Sequence, residues 1–111
     1  MLNLTPAERT WLDEYRQALA NDYPGLVEDI IIYGPHARGV TDPDIELDTL
    51  VIIRDGDAGT KKAIRYLGHL KAAIANAVPL IKVYTRTEWA RRGTMGDPLY
   101  KMAARDGVSV A

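Results

Sequence analysis

Apolar residues recur at helical spacing early in the chain, with Trp11, Leu12, Tyr15 and Leu19 on one face. Thr5-Pro6-Ala7-Glu8 stands just before them, a capping box with proline at the first helical position. Tyr23-Pro24-Gly25 stops the segment. Val27 to Tyr33 then carries Ile30-Ile31-Ile32, a β-branched run bounded by Gly25 and Gly34, which predicts a buried strand. Leu47 to Ile53 is a second such run, closed by Asp55-Gly56-Asp57. Thr60 or Asp57 can cap a helix over 60–77 whose inward face is read as Ile64, Leu67, Lys71, Ile74 and Val78, with Lys71 snorkelling. Pro79 to Tyr84 predicts a third strand, and Thr85 with Glu88 a second capping box opening a short helix through Trp89. A last helix starts at Asp97-Pro98 and ends near Gly107, with a short strand at Val108 to Val110. A strand–helix–strand order implies a crossover, so the expectation is an α/β chain: one small mixed sheet with helices packed on it, residues 1–111 forming a single domain.

Composition narrows the chemistry. The 111 residues are 47% hydrophobic, enough for one core. Fourteen Lys plus Arg against 15 Asp plus Glu leave a net charge of -1, which disfavours a polymeric nucleic-acid partner. With no cysteine, disulfides and thiolate zinc sites are excluded, and His36 and His69 alone are too few for an ordinary zinc centre. Any metal is expected to be held by oxygen. The amino terminus lacks the basic and apolar regions of a signal peptide, and no apolar run approaches the ~20 residues that span a bilayer. The expected location is cytoplasmic, with no membrane association.

The informative stretch is Tyr33-Gly34-Pro35-His36-Ala37-Arg38-Gly39 followed by Asp42-Pro43-Asp44-Ile45-Glu46-Leu47-Asp48. A strand runs into a glycine turn, and the next strand opens among acids. Residues two apart on a strand share a face, so Asp44, Glu46 and Asp48 project together if that strand starts early enough. Clustered carboxylates suit Mg²⁺, which takes one or two of them together with substrate phosphates. A solvated acidic strand entry is the plainer alternative. Arg38 reads either as a phosphate donor or as a surface arginine. His36 is expected to be an exposed loop residue without a carboxylate partner, Arg91-Arg92 a solvated helix face, and Asp42-Pro43 a turn.

These residues resemble the minimal nucleotidyltransferases of the polymerase-β type, which show a strand, a Gly-Ser turn, an Ala-Arg-Gly tail in many members, and Asp-x-Asp opening the next strand. The counterparts here are Gly34-Pro35, Ala37-Arg38-Gly39, ten intervening residues between Pro35 and Glu46, and Glu46-Leu47-Asp48. The likeness extends along nearly the whole chain, to Asp97-Pro98-Leu99-Tyr100 and Asp106-Gly107-Val108. It implies a nucleotidyltransferase-type fold in which the turn (Gly34, Pro35, with Arg38) holds nucleotide phosphates and Glu46 and Asp48 serve as the metal-binding, catalytic carboxylates. A rival register, with Asp44 and Glu46 as the metal pair, shortens the gap after the turn. The implied cofactors are Mg²⁺ and ATP or another nucleoside triphosphate. The implied partner is a small helical protein in a toxin–antitoxin arrangement.

Three departures bear on activity. Pro35 replaces the serine and offers neither hydroxyl nor backbone N–H. Glu46 is one methylene longer than the first aspartate. Lys82, in Ile81-Lys82-Val83-Tyr84-Thr85, stands where the family carries a third aspartate, and we expect it to ion-pair with Glu46 or Asp48. The leading expectation is therefore a nucleotidyltransferase-like protein with impaired catalysis, acting through nucleotide binding or protein interaction. The alternatives are an active Mg²⁺-dependent enzyme moving a nucleoside monophosphate to a protein or small-molecule hydroxyl, and a scaffold module that binds no nucleotide.

Overall fold

The computed structural model describes residues 1–42 and 44–111, so Pro43, half of the expected Asp42-Pro43 turn, lies outside the described residues. Helix α1 (Pro6–Asp22) begins as its sequence dictates: Thr5 Oγ1 accepts from the Glu8 N–H at 3.1 Å, and Glu8 Oε1 accepts from the Thr5 N–H at 2.8 Å. Strand β1 (Val27–Ile32) leads into a short 3-10 turn, Pro35–Arg38, and then β2 (Leu47–Ile53). Helix α2 (Ala58–Ala75) is capped by Asp57, whose Oδ1 accepts from the Thr60 N–H at 2.8 Å. Strand β3 (Pro79–Thr85) runs directly into α3 (Arg86–Thr94), through the expected Thr85–Glu88 capping box. Helix α4 (Pro98–Asp106) and the two-residue β4 (Val108–Ser109) complete the chain.

The sheet order is β3-β2-β1-β4. β1 lies antiparallel to β2 and β4, whereas β2 and β3 are parallel and joined by the α2 crossover. Pleating divides the side chains between two faces. One face, with Ile30, Ile32, Leu47, Val51, Ile53, Ile81 and Val83, packs against Trp11, Tyr15 and Leu19 of α1 and Ile64 and Ala72 of α2. The other, with Leu50, Ile52 and Tyr84, meets Trp89, Leu99 and Ala103 of α3 and α4. A small mixed sheet with helices packed on it is thus the observed architecture.

Two packing expectations are corrected. Ile74 and Val78 are 77% and 60% exposed, Val78 lying beyond the end of α2 at Ala75; the inward face of the helix is Ile64, Gly68 and Ala72. Gly68 sets this rotation. Its carbonyl accepts the Trp11 indole N–H at 2.9 Å, and a Cβ there would stand 2.4 Å from Ile81 Cδ1 and 2.9 Å from Tyr15 Cζ. The helix therefore approaches α1 and the sheet on its small residues. Arg92, read as part of a solvated face, instead lies 4.2 Å from the centroid of the Tyr84 ring and bonds Asp97 Oδ2 at 2.6 Å.

Candidate functional site

Gly34 joins β1 to the 3-10 turn with φ 74° and ψ -153°, a backbone region that only glycine adopts without strain. The missing side chain serves a second purpose. A Cβ at this position would lie 2.4 Å from Asp48 Oδ2, so the carboxylate rests against the bare backbone of the turn. Asp48 is the second residue of β2, and Tyr33 N–H donates to its carbonyl at 3.2 Å, closing the end of the β1–β2 pair around this contact.

Among the acids read as one cluster, only Asp48 lies on the strand. β2 begins at Leu47, so Glu46 is an exposed residue just before it, and Asp44 sits in a turn where its N–H donates to Asp42 Oδ1 at 2.9 Å. Glu46 is still near enough to matter: the Asp48 carboxyl is held above its ordinary range first by burial, then by the Glu46 charge. His36, Lys82 and Arg38 act on it in the opposite direction.

Lys82 reaches this face by strand parity. Asp48 is in register with Leu80 and Leu50 with Lys82, so Asp48 and Lys82 project to the same side of neighbouring strands, offset by one residue pair. The expected ion pair is not formed: among the described residues Lys82 has no carboxylate within 4 Å. Leu80 occupies the position directly opposite Asp48. Arg38, at the end of the 3-10 turn, bonds Asp106 Oδ2 at 3.3 Å, and Asp106 also accepts from Arg105.

No local pattern in the sequence announces how the turn is anchored. His36 is fully buried, contrary to the exposed position expected for it. Its Nε2 lies 2.8 Å from Glu8 Oε2, off the line of a good hydrogen bond, and its Nδ1 has no partner among the described residues. Glu8 thus caps α1 with one oxygen and faces His36 with the other. The Asn3 N–H donates to the His36 carbonyl at 3.0 Å, fastening the amino-terminal segment to the same turn. Tyr33 was equally unmarked. It lines the Asp48 side of the sheet, and burial, with a contribution from Asp48, pushes its phenol up to about 12.

As a donor set, Glu46 and Asp48 fit one divalent cation whose remaining positions are filled by water or phosphate oxygens. They do not fit a two-metal centre. Among the described residues no group of three or more His, Asp or Glu side chains is arranged to hold a metal ion, and the residue that shares the Asp48 face on β3 is a cation, Lys82. Two clefts elsewhere, one beside Tyr23 and Pro24 and one between Tyr84, Arg91 and Met95, include none of Gly34, Glu46 or Asp48 in their walls. No helix among the described residues is long and apolar enough to cross a membrane.

No protein-family model matches the sequence, and no curated protein matches it significantly. Solved structures do. A chain from the crystal structure of the toxin–antitoxin MntA-HpeT, in a mutant with a tyrosine changed to alanine, aligns with a TM-score of 0.58 at 14% identity, covering 90% of this chain and 71% of that one. A chain from a second mutant of the same system, with two aspartates changed to glutamate, gives 0.58 at 13% identity, covering 87% and 69%. At such identity the likeness shows the fold alone, a small mixed sheet with helices packed on it that this chain shares with those chains.

Proposed function

We propose that this chain is a nucleotidyltransferase-like protein with impaired transfer chemistry, acting through nucleotide binding or through a partner protein in a toxin–antitoxin arrangement. The observation that carries the reading is the pairing of one strand-borne carboxylate, Asp48, against the bare Gly34 turn with a cation, Lys82, on the same face. The likeness to toxin–antitoxin chains supports the cellular setting.

In this reading Glu46 and Asp48 hold a single Mg²⁺. Glu46 and Asp48 would hold it with their carboxylates, and its charge would offset the effect of Glu46 that, after burial, raises the Asp48 carboxyl. Gly34 leaves room for phosphate oxygens beside that carboxylate, and Arg38 exchanges its Asp106 partner for a phosphate oxygen. Pro35 weakens the grip because it supplies no N–H. When bound, Mg²⁺ would neutralise charge on the transferring phosphate. Lys82 would supply one positive charge on the Asp48 face but no carboxylate to help hold a further cation, so transfer would suffer more than binding.

The Glu46 charge close to the Asp48 carboxyl favours a second reading, an active enzyme that works with these two ligands. Thermal unfolding with Mg²⁺ alone, ATP alone and both together separates the readings, because a ligand that binds the native state alone raises stability in proportion to the logarithm of its concentration over Kd once it is in excess. Impaired transfer predicts Mg²⁺-dependent stabilisation by ATP, lost in Asp48→Ala, with no pyrophosphate released. Turnover abolished by Asp48→Ala would establish the active enzyme. No shift under any condition would leave only the scaffold reading.

A further inference from the structure

One wall of the cleft beside α3 is Tyr84, which shares its face of the sheet with Asp48. Leu80 lies opposite Asp48 on the neighbouring strand, and Leu80, Lys82 and Tyr84 alternate onto one side of β3. Four residues of strand separate Leu80 from Tyr84, about 13 Å. That span is comparable to the reach of a nucleoside triphosphate from its outer phosphates to its base, with Lys82 halfway along. The cleft itself has a volume of about 480 Å³ between Tyr84, the Glu88 to Met95 side of α3 and the turn before α4, within the range of small-ligand sites.

The walls suit a flat ligand. Tyr84 stacks on Trp89 with ring centroids 5.8 Å apart, and the Arg92 guanidinium lies 4.2 Å from the Tyr84 centroid while donating to Asp97 Oδ2 at 2.6 Å. A guanidinium seated over an aromatic ring and tied to a carboxylate is already ordered, so a further planar group can stack on it with little new side-chain ordering. Met95, 77% exposed, adds a polarisable apolar wall. The polar groups then distinguish among bases. Both acids of the cleft are engaged, Glu88 by Lys61 and the Thr85 N–H, Asp97 by Arg92 and the Leu99 N–H. Arg91 is exposed and has no carboxylate within 4 Å among the described residues. Its donor fork matches a base edge with two adjacent acceptors, which guanine presents as O6 and N7, whereas adenine sets an amino donor beside N7. We propose that this cleft receives the base of the nucleotide whose phosphates lie at Gly34 and Asp48, with Arg92 stacking on the base and Arg91 reading a guanine edge. The inference rests on the nucleotide-binding reading and adds to it a base site and a preference for guanosine nucleotides.

A compact anion alone fits less well. It would meet Arg91, but the Glu88 and Asp97 carboxylates line the same cleft, and the Tyr84–Arg92 pair would be left without a role.

The test is calorimetric titration of the full chain, in Mg²⁺, with GTP, ATP and inorganic tripolyphosphate. GTP is expected to bind about tenfold more tightly than ATP. Arg91→Ala, a change at an exposed side chain that should keep the wild-type melting temperature, should remove that preference. Arg92→Lys keeps the charge but loses the planar fork, and it should weaken GTP and ATP alike by about tenfold. Neither change should alter tripolyphosphate binding, whereas Asp48→Ala should weaken all three ligands. Equal binding of GTP and ATP overturns the proposal, as does a preference that survives Arg91→Ala. GTP binding that Asp48→Ala leaves unchanged also overturns it, because base and phosphates would then not belong to one ligand. Tripolyphosphate binding without any base preference sinks the base site and leaves the nucleotide reading standing. Failure of all three ligands to bind removes that reading, and this inference with it.

Discussion

Gly34 and Asp48 form the tightest constraint at the site, because one backbone and one carboxylate share a space that a single methyl group would fill. Gly34→Ala combines a disfavoured backbone region with that collision, and it should destabilise the chain by about 1–3 kcal/mol. Urea denaturation measures this, and a change within about 0.5 kcal/mol would show that the turn relaxes freely. Asp48 gives a prediction of opposite sign. Its carboxyl is raised in the folded state, so its contribution to stability is fully present below the unfolded value and is lost as pH rises through the folded one. At neutral pH the charged form is therefore a burden on the native state. Asp48→Asn should raise stability there by less than about 1 kcal/mol, since the group is partly solvated and screened. The gain should shrink as pH falls through the acid range. Unfolding measured across that range checks it, and a gain that grew toward acid would reverse the sign.

At the scale of elements, α2 shows how a periodic pattern can be satisfied by the wrong face. Ile74 and Val78 fit a helical stripe as well as Ile64 does, yet the close approach of α1 selects the small residues Gly68 and Ala72. Gly68→Ala should cost about 1–3 kcal/mol by overpacking Tyr15 and Ile81, whereas Ile74→Ser should stay within about 0.5 kcal/mol. Equal effects at the two positions, read from denaturation midpoints, would contradict the observed face. The same contrast marks what was legible in the sequence. Capping boxes at Thr5–Glu8 and Thr85–Glu88 and β-branched runs at Ile30–Ile32 and Leu50–Ile53 are local signals, and the structure realises each of them. The glycine turn and the shared face of Asp48 and Lys82 follow from turn chemistry and strand parity. Contacts across the fold were not legible: His36 against Glu8 joins residues 28 positions apart in sequence, and no local pattern announces that a capping glutamate will turn its second oxygen to a buried histidine.

For the molecule as a whole, the proposed impairment of transfer would lie in one site and not in the fold. The sheet already brings Gly34, Asp48 and Lys82 onto one face, so restoring ligand chemistry requires no change of architecture. Lys82→Asp adds a carboxylate on the Asp48 face, Glu46→Asp shortens the first of the proposed ligands, and Pro35→Ser gives the turn an N–H and a hydroxyl. Because the three positions share a site, their effects should be non-additive, with Lys82→Asp the largest. Before any activity is assayed, the variant reports on itself through stability. Without metal, a new carboxylate beside Asp48 and Glu46 adds like-charge repulsion, so the melting temperature of Lys82→Asp should fall below that of the wild type. Mg²⁺ should then raise it by more than it raises the wild type, because a dication binding only the native state offsets that repulsion. Pyrophosphate release from ATP is the second readout, expected in the triple variant and not in the wild type. If Mg²⁺ stabilises the wild type as strongly as Lys82→Asp, Lys82 does not oppose a metal, and the impaired-transfer reading loses its electrostatic basis.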